Sequence, residues 1–135
     1  MAQAQKYKET PEEKKARLEK IENAKIAFIT EKLSLTPEQA QRFWPIYNEY
    51  NTKRYELKRK LRSLREENLN NQSNEQVKAS LETRLSYRQR ELDLDNEYMD
   101  RYLRVISPKQ LALLYRSERE FTKLLLERLQ TSSRR

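Results

Sequence analysis

Few side chains in this sequence are suited to covalent or metal chemistry. The 135 residues include no Cys and no His, which excludes thiol and imidazole nucleophiles and the usual zinc and copper ligands. Carboxylates can still hold a hard cation, and five of them lie in ELDLDNEYMD, from Glu91 to Asp100. Its DLDN is similar to the start of a calcium loop, but the Gly that such a loop requires is missing and the segment follows a helical pattern. We therefore predict a helix surface there, with no metal or cofactor site.

The other polar groups form no catalytic arrangement either. Lys, Tyr and Ser are the remaining candidates, and none is placed in the sequence as a convincing nucleophile and base pair. There is also no Gly-rich loop for a nucleotide phosphate, because the chain contains no Gly at all. These absences predict a binding protein and not an enzyme.

Four segments carry the start signal of a helix. TPEE at Thr10, TPEQ at Thr36, SNEQ at Ser73 and SPKQ at Ser107 each have Glu or Gln three residues after Ser or Thr. In this capping box, the hydroxyl accepts from the backbone N–H of the third helical residue, whose side chain reaches back. Three of the four also have Pro at the first helical position, where its missing N–H costs nothing. Helix capping alone is therefore a sufficient reason for these motifs.

The caps predict an all-α fold of four helices, over 11–33, 37–69, 74–105 and 108–130. The absence of Gly supports this, since tight β-hairpin turns need residues that adopt positive φ. We expect one helical domain over 10–130, a disordered N-terminal segment over 1–9 and a disordered tail over 131–135.

Apolar periodicity supports the helices. In the second helix, Arg54 interrupts one stripe, made of Phe43, Tyr47, Tyr50, Leu57, Leu61 and Leu64. The third helix has two stripes. One is Val77, Leu81, Leu85, Leu92, Met99, Leu103 and Ile106, interrupted at Arg88 and Asp95, and the other is Tyr87, Leu94, Tyr98, Tyr102 and Val105.

The second and third helices are joined by the polar segment NLNNQSNE, which predicts a turn between antiparallel helices. Each helix would be about 50 Å long at 1.5 Å per residue. We therefore expect a long, thin hairpin with the first and last helices packed along part of it. Such a shape buries little core per residue, so we expect a second copy to complete an elongated, curved dimer.

The positive charge is concentrated in the outer part of this hairpin. Residues 53–90 contain eleven basic and five acidic side chains, which gives +6 of the net +8. A turn centred near Asn71 places 53–65 opposite 77–89. The candidate partner-binding surface is Arg54, Tyr55, Lys58, Arg59, Arg62, Arg65, Arg84 and Arg88. A solvated basic face is the simpler interpretation, and a surface that attracts acidic partners is the functional one.

Aromatic residues are numerous for such a polar chain, with eight Tyr and one Trp. Most lie where the inner halves of the two long helices meet, which predicts core positions for Trp44, Tyr47, Tyr50, Tyr87, Tyr98 and Tyr102. A thin hairpin cannot bury all of its aromatic residues, and an open face is the alternative position for Tyr55 and Tyr98. Tyr beside Arg or Lys makes an adaptable binding surface.

The N-terminal sequence suggests export. No apolar run approaches the roughly 20 residues that cross a bilayer. AQAQ, after the initial Met, has the small residues found around a signal-peptidase site. We therefore expect a mature exported protein from which a signal peptide has been removed.

The two motifs LTPEQ (Leu35 to Gln39) and ISPKQ (Ile106 to Gln110) resemble the paired LTxxQ motifs of the Spy/CpxP family. The resemblance covers about residues 10–130 and implies a small, helical, periplasmic protein that forms a homodimer of interlocked hairpins. It also implies ATP-independent chaperone activity or envelope-stress sensing. Leu35, Thr36, Gln39, Ile106, Ser107 and Gln110 match the motif, and their implied role is to fix the helix starts and the ends of the hairpin. Some relatives bind zinc through histidines, which this chain lacks.

Our leading hypothesis is a periplasmic binding protein that holds unfolded or partly folded proteins on its basic, Tyr-rich surface. A regulator that docks on an envelope sensor protein is a close alternative. A cytoplasmic nucleic-acid-binding protein fits the sequence pI of about 9.7. It is disfavoured because no known nucleic-acid-binding motif occurs and acidic residues are interspersed with most basic ones. A helical adaptor or scaffold is the last alternative.

Overall fold

The computed structural model describes residues 8–133. These residues form four α-helices and no strand: α1 (Pro11–Leu33), α2 (Pro37–Arg65), α3 (Asn74–Leu103) and α4 (Pro108–Ser133). The predicted all-α fold of four helices is confirmed. Most of the N-terminal segment predicted to be disordered, and the last two residues of the predicted tail, lie outside the described residues. The tail's first three residues belong to α4.

All four helices begin where the capping boxes predict. The hydroxyl of Thr10 accepts from the backbone N–H of Glu13 at 3.1 Å. The boxes at Thr36, Ser73 and Ser107 have both hydrogen bonds, the hydroxyl to the third residue and the Gln side chain back to the capping N–H. Local sequence therefore fixes the starts of the helices.

The end of α1 is a left-handed turn at Ser34, whose φ is 50° and ψ 47°. Its N–H donates to the carbonyl of Glu31 at 3.1 Å, and that of Leu35 donates to Thr30 at 3.2 Å. This is the Schellman pattern, in which the residue after the left-handed one is usually apolar. Leu35 thus has a structural role of its own, because it closes α1 just before Thr36 caps α2.

The ends of α2 and α3 come earlier than predicted. α2 ends at Arg65, not 69, and a short 3₁₀-helix follows at Leu69–Asn71. The side chain of Asn68 accepts from the N–H of Asn70 at 3.1 Å, and such local bonds compete with a continuing helix. α3 ends at Leu103, not 105. The local bond of Asn68 explains why α2 ends before the predicted residue 69.

α2 and α3 form an antiparallel hairpin inside one compact unit, which runs from Thr36 to Leu111. Its buried side chains are Phe43, Tyr47, Leu61, Leu94, Tyr98, Tyr102, Ile106 and Leu111. The ring of Phe43 lies 5.5 Å from that of Tyr102, and the ring of Tyr50 lies 5.3 Å from that of Tyr98. The predicted aromatic core at the inner end of the hairpin is therefore present.

The register of the hairpin differs from the predicted one. The Lys60 amine lies over the ring of Tyr87, and the Ser80 hydroxyl donates to Glu67 at 3.0 Å. These pairs place the middle of the turn near Ser73 and not near Asn71. The segment between α2 and α3 contains the 3₁₀-helix Leu69–Asn71, so it is longer than a tight turn between two helices.

The second compact unit is built from α1 and the part of α4 that begins at residue 112. The rings of Phe28 and Phe121 lie 5.7 Å apart, and Lys32 pairs with Glu120 at 4.0 Å. α1 and α4 are therefore antiparallel. The expectation of a single domain over 10–130 stays a prediction.

Candidate functional site

The two Gln residues of the motifs bind each other across the base of the hairpin. Gln39 Nε2 donates to Gln110 Oε1 at 3.1 Å, and Gln110 Nε2 donates to Gln39 Oε1 at 3.2 Å, between residues 71 apart in sequence. Gln39 Nε2 also lies 3.4 Å from the carbonyl oxygen of Val105. Each motif therefore caps its own helix and also binds the other motif.

The capping bonds fix the orientation of both amides. Gln39 Oε1 accepts from the N–H of Thr36 at 3.2 Å, and Gln110 Oε1 accepts from the N–H of Ser107 at 2.9 Å. Since a backbone N–H can only donate, the side-chain oxygen must face it, which turns each NH₂ group toward the other glutamine. The starts of α2 and α4 are thereby joined by a closed set of hydrogen bonds.

The other motif residues contribute apolar contacts and caps. Ile106 is buried at 3% exposure, Leu35 is half-buried, and the hydroxyls of Thr36 and Ser107 are used for capping. The paired Gln39 and Gln110 have the geometry of a structural clasp. The predicted role in fixing helix starts agrees with this geometry, whereas the pairing of the two motifs was missed. The sequence did contain a signal for this pairing, because both Gln residues occupy the third position of helices that begin at the same end of the hairpin.

A charged cluster fixes the middle of the same hairpin. Arg101 donates to both oxygens of Glu49 at 3.1 Å each, and its guanidinium lies 4.7 Å from the centre of the Tyr98 ring. The hydrogen bonds from Arg101, followed by the nearby hydroxyl of Tyr98, lower the pKa of Glu49 to about 2. Burial, followed by the nearby carboxylate of Glu49, raises the pKa of Tyr98. Glu49 therefore stays ionised and Tyr98 protonated near neutral pH.

Of the predicted partner-binding residues, six are exposed and two are not. Arg54 and Arg84 are half-buried and share helix faces with the residues that pack between α2 and α3. The exposed six are Tyr55, Lys58, Arg59, Arg62, Arg65 and Arg88. Within the described residues, none of the seven cations in the predicted set forms an ion pair. Their charge is available to a partner.

Tyr55 and Tyr98 differ in exposure. Tyr55 is 61% exposed, but Tyr98 is only 1% exposed, so the core position predicted for Tyr98 is confirmed and its alternative on an open face is wrong. Tyr98 packs against Tyr50 and lies beneath the cations of Lys53 and Arg101. The second aromatic stripe of α3 therefore faces α2.

One flank of the hairpin is occupied by contacts between its two helices. Lys53 and Lys60 of α2 lie over the rings of Tyr98 and Tyr87, at 5.4 and 5.6 Å, and Glu67 binds Ser80. Lys53 and Lys60 are seven positions apart, so they share one side of α2, and Glu67 lies in the turn that follows the helix. That side of the hairpin is its closed flank.

The opposite flank is open. Because α2 and α3 are antiparallel, the sides of the two helices opposite the closed flank lie next to each other on one surface of the hairpin. On α3 this side carries Leu81, Leu85, Leu92 and Met99, which are 47% to 65% exposed. We define the open flank as these four residues with Arg88, together with Tyr55, Lys58, Arg62 and Arg65 of α2. Arg59 lies further round the outer surface of α2.

The open flank combines apolar area with cations that form no ion pair among residues 8–133. Its four apolar side chains follow steps of four and seven residues, so they form one stripe and not scattered single contacts. Exposed apolar patches bordered by charge mark interaction surfaces. Both stripes were visible in the sequence. Core positions were predicted for Tyr87, Tyr98 and Tyr102, but the exposure of the leucine stripe was not.

Two further findings limit the chemistry of the chain. Among residues 8–133, no three Asp or Glu side chains are grouped so that they could hold a metal ion. None of the described helices is sufficiently long and apolar to span a membrane.

Comparison with known proteins gives one match. The family described as LTXXQ motif family protein matches residues 21–116, which is well over half of the chain and includes both motifs. No curated protein and no solved structure matches this chain. With its two motifs joined at the base of a helical hairpin, the chain belongs to the LTXXQ motif family.

Proposed function

We propose that this protein is a periplasmic, ATP-independent, chaperone-like protein that holds unfolded or partly folded proteins on the open flank. The observation that carries the proposal is the stripe of Leu81, Leu85, Leu92 and Met99, exposed beside the unpaired cations. Membership of the LTXXQ family is consistent with a Spy/CpxP-like role.

The two components of the flank have different tasks. The net charge of +8 attracts acidic chains over long range and accelerates their encounter. The stripe then binds apolar segments that a folded client would bury. Four half-exposed side chains offer only modest apolar area, so clients dissociate and continue folding without any nucleotide.

The test is light scattering of a chemically unfolded acidic client, without ATP, across a salt series. The wild-type protein should suppress aggregation, less strongly but still measurably at high salt, because salt screens the charges and leaves apolar contact. No suppression at several-fold excess contradicts the proposal and favours a dedicated regulator or scaffold.

Two sets of variants locate the surface. Leu85→Ser with Leu92→Ser should weaken client binding by about tenfold or more, since each leucine contributes on the order of 1 kcal/mol when its exposed part is covered. The matched control is Leu69→Ser with Leu126→Ser, two exposed leucines outside the flank. Equal losses in both pairs would contradict the assignment to the open flank.

The charge variant is Arg59→Glu with Arg62→Glu and Arg65→Glu. It should slow client capture and reduce its salt dependence, whereas reversing Lys15, Lys109 and Arg119 changes net charge equally and should have a smaller effect. Sedimentation of each variant tests the predicted homodimer separately. If the leucine variants change the mass of the particle, the stripe binds a second copy and not a client.

A further inference from the structure

A second apolar surface lies between α1 and α4, in the other compact unit. It is a half-open groove of about 370 Å³, within the range of small-molecule sites of roughly 300–1,000 Å³. Its lining residues are Lys20, Ile21, Ala24, Phe28, Phe121, Leu124, Leu125 and Arg128. All six uncharged side chains of the lining are apolar, so the groove itself offers no neutral hydrogen-bonding side chain.

The groove has two chemically different ends. The rings of Phe28 and Phe121 lie 5.7 Å apart and form one end. Since α1 and α4 are antiparallel, Lys20 and Arg128 lie together at the other end. Neither cation forms an ion pair among the described residues. Long cationic side chains can line apolar surface with their stems while the charge stays in water.

We propose that this groove binds a monoacyl anion, such as a medium-chain fatty acid. The carboxylate pairs with Lys20 and Arg128, and the acyl chain lies along Ile21, Leu124 and Leu125 toward the two Phe rings. Eight helical residues separate Lys20 from Phe28, which corresponds to about 12 Å. This distance sets the length of acyl chain that the groove can cover.

The distribution of charge favours this occupant over others. A single anionic head followed by an uncharged tail matches two cations at one end and rings at the other. A cationic amphiphile has the wrong sign at the head. The groove also lies on different helices from the open flank, so the inference does not depend on the proposed chaperone function.

The first experiment is calorimetric titration of the full chain with laurate, below the concentration at which laurate forms micelles. We expect saturable binding of one laurate per groove. Affinity should rise by about fourfold for each methylene from octanoate to decanoate and then level off as the groove fills. Dodecyltrimethylammonium, with the same chain length and opposite charge, should bind at least tenfold more weakly. Equal binding of both amphiphiles overturns the proposal.

Variants separate the groove from the general positive charge. Lys20→Glu with Arg128→Glu should weaken laurate binding at least tenfold, whereas Lys14→Glu with Arg116→Glu, of identical net charge, should bind like the wild type. Equal weakening in both pairs means non-specific attraction and overturns the site.

A blocking variant, Leu124→Trp, fills the groove from an exposed position. It should abolish laurate binding and leave client suppression unchanged, with helical content verified by circular dichroism. If the wild type is oligomeric and Leu124→Trp dissociates it, the groove is covered by a second copy, and the proposal is wrong.

Discussion

Removing the amide of Gln39 should cost more stability than removing a helix cap. In Gln39→Ala the N–H of Thr36 loses its acceptor, and two bonds to Gln110 and a longer one to Val105 are also lost. A net hydrogen bond contributes about 1 kcal/mol. Because the side chain is half-buried and water replaces part of these bonds, we expect a loss of about 2–3 kcal/mol.

The matched control is Gln76→Ala at the other end of the hairpin. Gln76 accepts from the N–H of Ser73 at 2.9 Å, and among the described residues no hydrogen bond joins it to another helix. Its replacement removes only half of a capping box, so the loss should be about 0.5–1 kcal/mol. The difference between the two variants measures what the pairing of the motifs adds.

A double-mutant cycle isolates that pairing. Gln39→Ala and Gln110→Ala each remove the same two reciprocal bonds, so the double variant should be less destabilised than the sum by about 1–2 kcal/mol. Urea unfolding followed by far-UV circular dichroism gives the free energies, provided that the denaturant slope is unchanged.

The glutamate variant separates capping from pairing. Gln39→Glu keeps an oxygen for the N–H of Thr36 but has no hydrogen to donate to Gln110 or Val105 at neutral pH. It should therefore lose stability although its cap remains. If Gln39→Ala matches Gln76→Ala, and the cycle is additive within about 0.5 kcal/mol, the motifs are independent caps and the clasp is refuted.

Two further predictions concern the ends and the middle of the helices. Ser34→Gly should stabilise the protein by about 0.5–1 kcal/mol. The left-handed conformation costs a non-glycine residue about 1–2 kcal/mol, and the greater loss of backbone entropy of Gly on folding offsets roughly half of this gain. An unchanged urea midpoint contradicts this prediction. Arg101→Met should destabilise at pH 7. Since the pKa of Glu49 is lowered from 4.5 to about 2, the ionised pair contributes fully above pH 4.5, and its contribution is lost as the pH falls toward 2. The gap between wild type and variant should narrow over that interval in acid unfolding, and a constant gap would rule out the ion pair as its cause.

The helix starts were predictable because their signals are local. Thr36 and Gln39 lie three residues apart and make their capping bonds wherever the rest of the chain lies. The end of α2 was less predictable, since no Gly or Pro closely follows Leu64, the last residue of its stripe, while the side chain of Asn68 forms a local bond that favours a turn. Start signals are therefore more reliable than stop signals in this chain.

The face of α3 that packs inward was predictable only from its Tyr residues, for which core positions were expected. Both of its stripes are apolar, and periodicity alone does not rank them. The structure buries Tyr98 and Tyr102 because the aromatic rings of α2 lie opposite them, which leaves Leu85 and Leu92 exposed. Such pairings join residues about fifty positions apart, so they depend on the register that the turn sets.

The basic surface was predicted in part for the same reason. Arg62 and Arg65 are exposed as expected, but Arg54 and Arg84 are drawn toward the contact between the helices. A charge count along the chain identifies the region and cannot identify the side of the helix. The apolar half of the open flank follows from the burial of the Tyr stripe, because the other stripe of α3 is then left exposed.

The clasp of Gln39 and Gln110 makes the length of the hairpin adjustable. The chain enters and leaves the hairpin at one point, and only the turn beyond Arg65 closes its other end. Inserting seven residues into each arm near that turn would extend the hairpin by about 10 Å and return every side chain to nearly the same face. The two motifs thus fix the base of the hairpin. The distance from this base to the turn is set by the length of α2 and α3 and not by the clasp.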